Sequence, residues 1–581
     1  MKRVPVLAAT AAAGALCYLA VLPAVSSTAA LASTSTDNAT YQGTAGSAAR
    51  LTQATSVSAL PIRASAFRNL GPQTFAPVRS PNGSDPAADA SATAPGVAAN
   101  SAVTGTAGLN SGNSPVISQF NGLSSLDSNN VAGFTDTPPD QGLCVGYDAT
   151  LTGSPKAVWE PINSTARETS PTGTTLRPDV SLATLFQDPF AEGDVRCLYD
   201  ASTNSFYFTE IGFPVATGPA SDLNNTTADV VVMNSHGVAA YQFDTSLGGP
   251  SAGDCFGDQP KTGFDNDALI ISTDEYCGPT ESNYEGAIAL VISKSQLVNE
   301  DTTVSDSVLG PVSLAGDPVV GLDPAINTGS GIGYFVNSVP FLANGNNNPV
   351  GTTIGSWLLL NTASVTRGHG SPILIGRVAA SEPYAFPVPA TSTGDGSVTM
   401  VDGVPVTSET ALNPDDSRMS GPVEVTGSGG QVELWTALDA AVTARGSTND
   451  ATAWFEVNPL SARVTSQGYV VAKGANLLYP AIQPQRFGPA DVVFTITSST
   501  INPSAAYTTL GSGKITTVAA GAGPHLSFSD VLFDEARWGD YSFVATDPNG
   551  NIWLATEYIP PAADQNPIDN WGTYVLEVSG H

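Results

Sequence analysis

Residues Asp534 to Tyr558 read DEARWGDYSFVATDPNGNIWLATEY, and the fold is decided by how this stretch is read. YSFVAT and IWLATEY are short runs rich in β-branched and aromatic residues. DPNG between them suits a type I turn, with Pro at its second position and Asn and Gly tolerating a left-handed backbone. The stretch is therefore a β-hairpin approached through Gly539 and Asp540.

The same template recurs upstream. GDVRCLYDASTNSFYFTEI begins at Gly193, GDQPKTGFDNDALIISTDEY at Gly257 and GDPVVGLDPAINTGSGIGYFVNS at Gly316. Looser copies are PPDQGLCVGYD ending at Asp148, PDDSRMSGPVEVTGSGGQVELWTALD ending at Asp439, and YPAIQPQRFGPADVVFTITS beginning at Tyr479. With Asp140, Asp194, Asp258, Asp317, Asp416, Pro480 and Asp540 as equivalent positions, the intervals are 54, 64, 59, 99, 64 and 60 residues. Such spacing fits four antiparallel strands per repeat. A repeated sheet must cover its faces with its neighbours, which predicts an all-β fold, a β-propeller of seven blades. The interval after Asp317 requires a long insertion.

Outside the repeats the chain divides simply. Lys2 and Arg3, an apolar run from Val4 to Val25 and a small-residue exit at Ala30 to Ala32 predict a signal peptide over residues 1–32, giving a secreted, extracellular protein with no integral membrane span after cleavage. Residues 33–114 are rich in Ala, Ser, Thr, Gly and Pro and predict a disordered segment; the propeller domain occupies 115–581. With 21 Lys and Arg against 52 Asp and Glu, the net charge of -31 repels phosphate backbones, so nucleic acid is excluded as a partner. Four cysteines remain beyond the leader. Cys144 with Cys197 and Cys255 with Cys277 is the favoured disulfide pairing, because each bond links neighbouring segments.

Several motifs together resemble a family of secreted, largely uncharacterised bacterial proteins. They are CFGDQPKTGFDNDALIISTDEY from Cys255, YEGAIALVISKSQL from Tyr284, NPDDSRM ending at Met419, AWFEV from Ala453, RWGDY from Arg537, ATEYI from Ala555 and NWGTY from Asn570. The resemblance spans Phe120 to Val578 and implies a propeller-like fold without implying a mechanism. Thr262, Phe264, Asp274, Ser542 and Phe543 depart from the family pattern and flank its acidic positions.

The candidate chemistry lies in carboxylates. Asp540 and Glu557 fall symmetrically about the DPNG turn, so a regular ladder sets them opposite one another; Asp194 with Glu210 and Asp258 with Glu275 straddle their turns in a similar way. Three Asp and Glu pairs on one face predict an acidic funnel at the propeller axis, with these six residues as catalytic candidates. Lys261, Tyr276, Arg418, Arg537 and Tyr558 are the substrate-binding candidates, and Arg196 is a further cation close to the motif.

The expected activity is that of a carbohydrate-active enzyme, a glycoside hydrolase or polysaccharide lyase. It would work as a monomer on an extracellular glycan or cell-surface polymer, with no cofactor required. Two alternatives follow from the same residues: a non-catalytic binding propeller, or an acidic ring that is structural or holds Ca²⁺. Other signals are weaker. DPNGN from Asp547 lacks a calcium loop's Gly and Glu placement, GPSAG around Ser251 lacks a strand-to-helix context, and His236, His369, His525 and His581 are isolated. The tryptophans sit within predicted strands and are assigned to the core.

Overall fold

The computed structural model describes residues 38–63, 97–98, 112–191, 193–212, 226–245, 255–277, 283–328, 331–338, 350–421, 423–427, 432–444, 446–486, 488–528 and 536–580. The expected signal peptide lies outside them. The chain is all-β, and among the described residues no helix is long and apolar enough to cross a membrane.

The strands form seven antiparallel quartets in chain order. Quartet 1 is Cys144–Tyr147, Lys156–Ile162, Thr165–Thr169 and Val180–Ser181. Quartet 2 is Gly193–Asp200, Ser205–Gly212, Thr227–Asn234 and Gly237–Asp244. Quartet 3 is Cys255–Phe264, Ala268–Cys277, Asn283–Ser293 and Thr303–Leu309. Quartet 4 is Asp323–Ile326, Gly333–Ser338, Val350–Leu360 and Ile373–Ala385.

Quartet 5 is Val423–Thr426, Glu433–Ala444, Ser447–Asn458 and Arg463–Val470. Quartet 6 is Asn476–Pro484, Ala490–Ser498, Ile501–Thr509 and Thr516–Ala519. Quartet 7 is Phe543–Thr546, Ile552–Tyr558 and Gly572–Val578, completed by Val116–Ser124 from the far end of the sequence. Each first strand touches the first strand of the next quartet, and that of quartet 7 touches that of quartet 1. Six strands of quartets 4 and 5 also close a hydrogen-bonded ring, through the parallel pairing of Asp323–Ile326 with Val423–Thr426 and the pair Ala385 with Ala441.

Strands covered on both faces carry near-continuous apolar runs, and Ser205–Gly212, Thr227–Asn234 and Ala490–Ser498 are buried at every position. Trp159, Trp357, Trp538, Trp553 and Trp571 are fully buried, so these rings are core rather than sugar platforms.

Every quartet has, within or ahead of its first strand, a residue in the left-handed region: Asp140, Asp194, Gln259, Gly321, Asp415, Tyr479 and Gly539, with φ between 38° and 60°. Such a conformation is rare for residues other than Gly, Asn and Asp, and a bulky Tyr there needs external support. Three of the approaches are fastened by the preceding quartet. The backbone N–H of Asp194 donates to Asn163 Oδ1 at 2.7 Å, that of Gly321 to Asp274 Oδ1 at 3.0 Å, and that of Tyr479 to Asp439 Oδ2 at 2.8 Å. Quartet 4 thus begins after Gly321. Asp317 lies instead in a small hairpin with Ser313–Leu314 and is exposed, so it is not equivalent to Asp194 or Asp540. The expected insertion follows Ala385 and carries the hairpin Val398–Val401 with Val404–Ser408.

Part of the segment expected to be disordered is built into the fold. Asn38–Gln42 pairs with the outer strand of quartet 4, Thr44–Ala49 with that of quartet 3, and Arg50–Ala54 with that of quartet 2. Val57 and Leu60 then pack with Leu182, Leu185 and Phe186. This arm buries little apolar surface, as its composition requires, but it satisfies edge backbone groups that would otherwise face water. Its glycines permit the approach: a Cβ on Gly46 would collide with Asp306 Oδ1.

Both disulfides form as the cysteine positions suggested, Cys144 with Cys197 and Cys255 with Cys277. The first joins the first strands of quartets 1 and 2 across 53 residues. Replacing both of its cysteines by serine is expected to lower stability by about 4 kcal/mol, from the loop entropy returned to the unfolded chain. Cys255 and Cys277 are already directly opposite in a ladder, so their replacement should cost less. Urea midpoints of the two double variants test this order.

Candidate functional site

The approaches to quartets 5 and 7 meet the first strands of quartets 3 and 6 around a small cavity that opens to solvent. Gln259 and Lys261 line it from quartet 3, Asp415, Asp416 and Arg418 from the approach to quartet 5, and Asp439 from that quartet's second strand. Tyr479 of quartet 6 and Asp540 and Tyr541 of quartet 7 complete the wall. Of the sequence candidates, Lys261, Arg418 and Asp540 therefore reach the cavity.

Two of the three predicted carboxylate pairs do not form, and the third meets only at a bulge. In quartet 3 the register pairs Asp258 with Asp274 and Gly257 with Glu275. A slip of one residue turns Glu275 to the opposite face. There Glu275 Oε1 accepts a hydrogen bond from Thr273 Oγ1 at 2.5 Å, and burial pushes its carboxyl up to about 8. In quartet 2 a bulge sets both Asp194 and Val195 against Glu210, and Glu210 lies opposite Asp229 on the third strand. In quartet 7 the ladder starts at Phe543, leaving Asp540 ahead of it, and Glu557 pairs with Thr573. Burial and the neighbouring Asp569 push the Glu557 carboxyl well above its ordinary range. Glu210, Glu275 and Glu557 do not line the cavity.

Tyr558 does not line the cavity either. Its hydroxyl donates to Asn121 Oδ1 at 2.9 Å and its ring packs on Tyr574, toward the strand that closes quartet 7. Tyr276 is buried against Tyr284, with Asp274 and Arg418 as its charged neighbours, and does not line the cavity.

A network of acids and cations surrounds the cavity. Asp140 Oδ1 accepts from the backbone N–H of Asp540 at 3.1 Å, and Asp140 Oδ2 accepts from Asn163 Nδ2 at 2.6 Å. Burial, then repulsion from Asp540 and Asp194, raises Asp140 well above the usual carboxylate range. Burial and Asp194 likewise raise Asp258 against the lowering pull of Arg418. Asp540 is pushed up to about 8, chiefly by burial and with help from Asp415 and Asp194, although Arg537 Nη2 sits 2.9 Å from its Oδ2.

The cations that reach the cavity are engaged. Arg418 holds Asp415 at 2.5 Å and Asp416 at 2.6 Å and also donates to Gln259 Oε1. Lys261 Nζ donates to the Met419 carbonyl at 2.5 Å and lies 3.5 Å from Asp323. Arg196 instead stacks on the ring of Tyr541, its guanidinium carbon 3.5 Å from the ring centre.

Sequence reasoning passed over Gln259, Asp415, Tyr479 and Tyr541 as site residues. Each lies at a left-handed residue or within two positions of one, a feature that the repeated Gly-Asp signal marks only to within a residue or two. Among the described residues no group of three or more His, Cys, Asp or Glu is arranged to hold a metal ion. The DPNGN segment is a plain turn, closed by the Gly550 N–H donating to the Asp547 carbonyl at 2.9 Å.

No protein-family profile and no curated protein matches the chain. Among solved structures, a protein of unknown function from Dyadobacter fermentans is similar at 10% identity, over 67% of this chain and 95% of that one, with a TM-score of 0.29. An endo-arabinase from Bacteroides thetaiotaomicron is similar at 9% identity over 57% and 95% of the two chains, with a TM-score of 0.25. A mutant of NanB sialidase from Streptococcus pneumoniae is similar at 9% identity over 82% and 71%, with a TM-score of 0.29.

Proposed function

We propose that the seven quartets are the blades of a β-propeller and that the cavity where quartets 3, 5, 6 and 7 meet is the active site of an extracellular carbohydrate-active enzyme. The cyclic contact of the first strands supports the propeller, and two disulfides suit an oxidising compartment outside the cytoplasm. The observation that carries the activity is Asp540. It lines the cavity and its carboxyl, pushed up to about 8, holds a proton near neutral pH, the state required of a general acid at a glycosidic oxygen. Asp415, also on the wall and ion-paired to Arg418, is the second carboxylate such a site needs.

A binding propeller without turnover is the second reading, favoured by the engagement of Arg418, Arg537 and Lys261 with partners inside the protein. Purified protein offered a panel of neutral and acidic polysaccharides separates the two. Release of new reducing ends or unsaturated products supports the enzyme; saturable binding with no product supports the binder. Neither binding nor product on any member of the panel overturns both.

A further inference from the structure

We propose that Arg196 and Tyr541 form a carboxylate-recognition subsite, so that the sugar taken by this cavity is a uronate. The inference rests on the reading of the cavity as a glycan site and names the substrate class.

Arg196 is 4% exposed, yet neither Nη1 nor Nη2 finds an acceptor among the described residues. That sets it apart from Arg418, Arg537 and Lys261, each of which holds a carboxylate or carbonyl. A buried guanidinium without an acceptor is costly, and an anionic ligand is the natural way to relieve the cost. Asp194 stands two residues along the same strand but makes no ion pair with Arg196 among the described residues. Asp323, another acid within electrostatic reach of Arg196, faces Lys261 at 3.5 Å, and burial favours the protonated form of Asp140, which lessens repulsion of an incoming anion.

Geometry fixes how the ligand would be read. The guanidinium carbon lies 3.5 Å from the centre of the Tyr541 ring, and the two unpartnered terminal nitrogens are the fork that can meet a planar carboxylate through two parallel N–H···O bonds. Tyr541 lines the cavity, and so does Lys261, which lies within electrostatic reach of Arg196; Arg196 itself stands behind that wall, against the Tyr541 ring. The Tyr541 hydroxyl is buried without a partner among the described residues, and Asp194, Arg196, Asp540 and Asp140 are its charged neighbours. Burial keeps that hydroxyl protonated, so it supplies a further donor beside the fork.

Calorimetric titration of the full chain with trigalacturonate and triglucuronate, and with the same trimers carboxyl-reduced to neutral sugars, tests the subsite. At least one uronate trimer should bind tenfold or more tightly than its reduced counterpart. Arg196→Gln should abolish that preference with an unchanged or higher melting temperature, Arg196→Lys should keep part of it, and Tyr541→Phe, which retains the stacking ring, should weaken uronate binding. Equal affinity for the reduced trimer, retention of the preference by Arg196→Gln, or preference for a sulfated trimer overturns the subsite. If uronates fail while a neutral glycan is bound or cleaved, the subsite falls and the glycan site stands; if no glycan is bound at all, both fall.

Discussion

Asp540→Asn is expected to lower glycan turnover by about 100- to 10,000-fold, the span general acid catalysis contributes, with little change in KM. Asn keeps the side chain's size and can still accept from Arg537, so the arm from quartet 7 stays in place, but it has no proton to give. The pH profile carries a second signature. Because the Asp540 carboxyl is pushed up to about 8, the rate should fall as pH rises through about 8, where the acid loses its proton. Arg537 favours the ionised form, so Arg537→Gln should move that falling limb to higher pH. An Asp540→Asn enzyme with wild-type turnover, or a falling limb unmoved by Arg537→Gln, removes Asp540 from the role of acid.

The repeated hairpin was legible because it is local. Strand, turn and strand follow one another along the chain, and DPNG at Asp547 and ASTN after Asp200 are turns in the structure as in the sequence. Register was less legible. Counting symmetrically about a turn assumes an unbroken ladder, but irregularities lie opposite Asp194, between Asp258 and Lys261, and between Leu478 and Ala481. Each extra residue turns the following side chains to the other face; this parts Asp258 from Glu275 in quartet 3, whereas in quartet 2 the bulge holds Asp194 against Glu210 and in quartet 7 Asp540 lies ahead of a ladder that starts at Phe543. The left-handed Asp194, Gln259 and Tyr479 sit in these irregularities, so the feature that hid the register is also the one that shapes the cavity wall.

Two other features depend on distant sequence and could not be read locally. The arm from Asn38 to Ala54 has too few apolar residues to order itself; it is held by backbone bonds to edge strands about 190 to 340 residues away, counted from the paired positions. Fastenings such as Asp439 on the Tyr479 N–H and Asp274 on the Gly321 N–H come from the second strand of one quartet and act on the next. They show part of the repeated acidity to be structural. That division matters for the site: Asp274 holds backbone away from the cavity and Asp439 holds backbone on its wall, whereas Asp540 and Asp415 line the cavity and are fastened by cations.

Raising the pH from 5 to 9 is expected to destabilise the fold, lowering the melting temperature by at least about 5 °C. Glu160, Asp306 and Glu424 are pushed up to about 7, and Glu168, Glu275 and Asp450 to about 8, in every case chiefly by burial. A carboxyl raised in the folded state binds its proton more tightly there than in the unfolded chain. Its contribution is therefore complete below the ordinary value near 4.5, where both states are protonated, and is lost as pH climbs to about 8. Every tenfold gain in proton affinity on folding corresponds to about 1.4 kcal/mol, so a few such groups outweigh Asp200, where burial is outweighed by Lys294 and the Ser202 hydrogen bonds together and the carboxyl is drawn in the opposite direction. Glu275→Gln isolates one contributor, because the amide oxygen can still accept from Thr273 while nothing remains to ionise. Its melting temperature should exceed the wild type's at pH 9 and converge on it near pH 5. A wild-type melting temperature that is flat or rising between pH 5 and 9 would mean that these buried carboxyls give up their protons without cost to the fold.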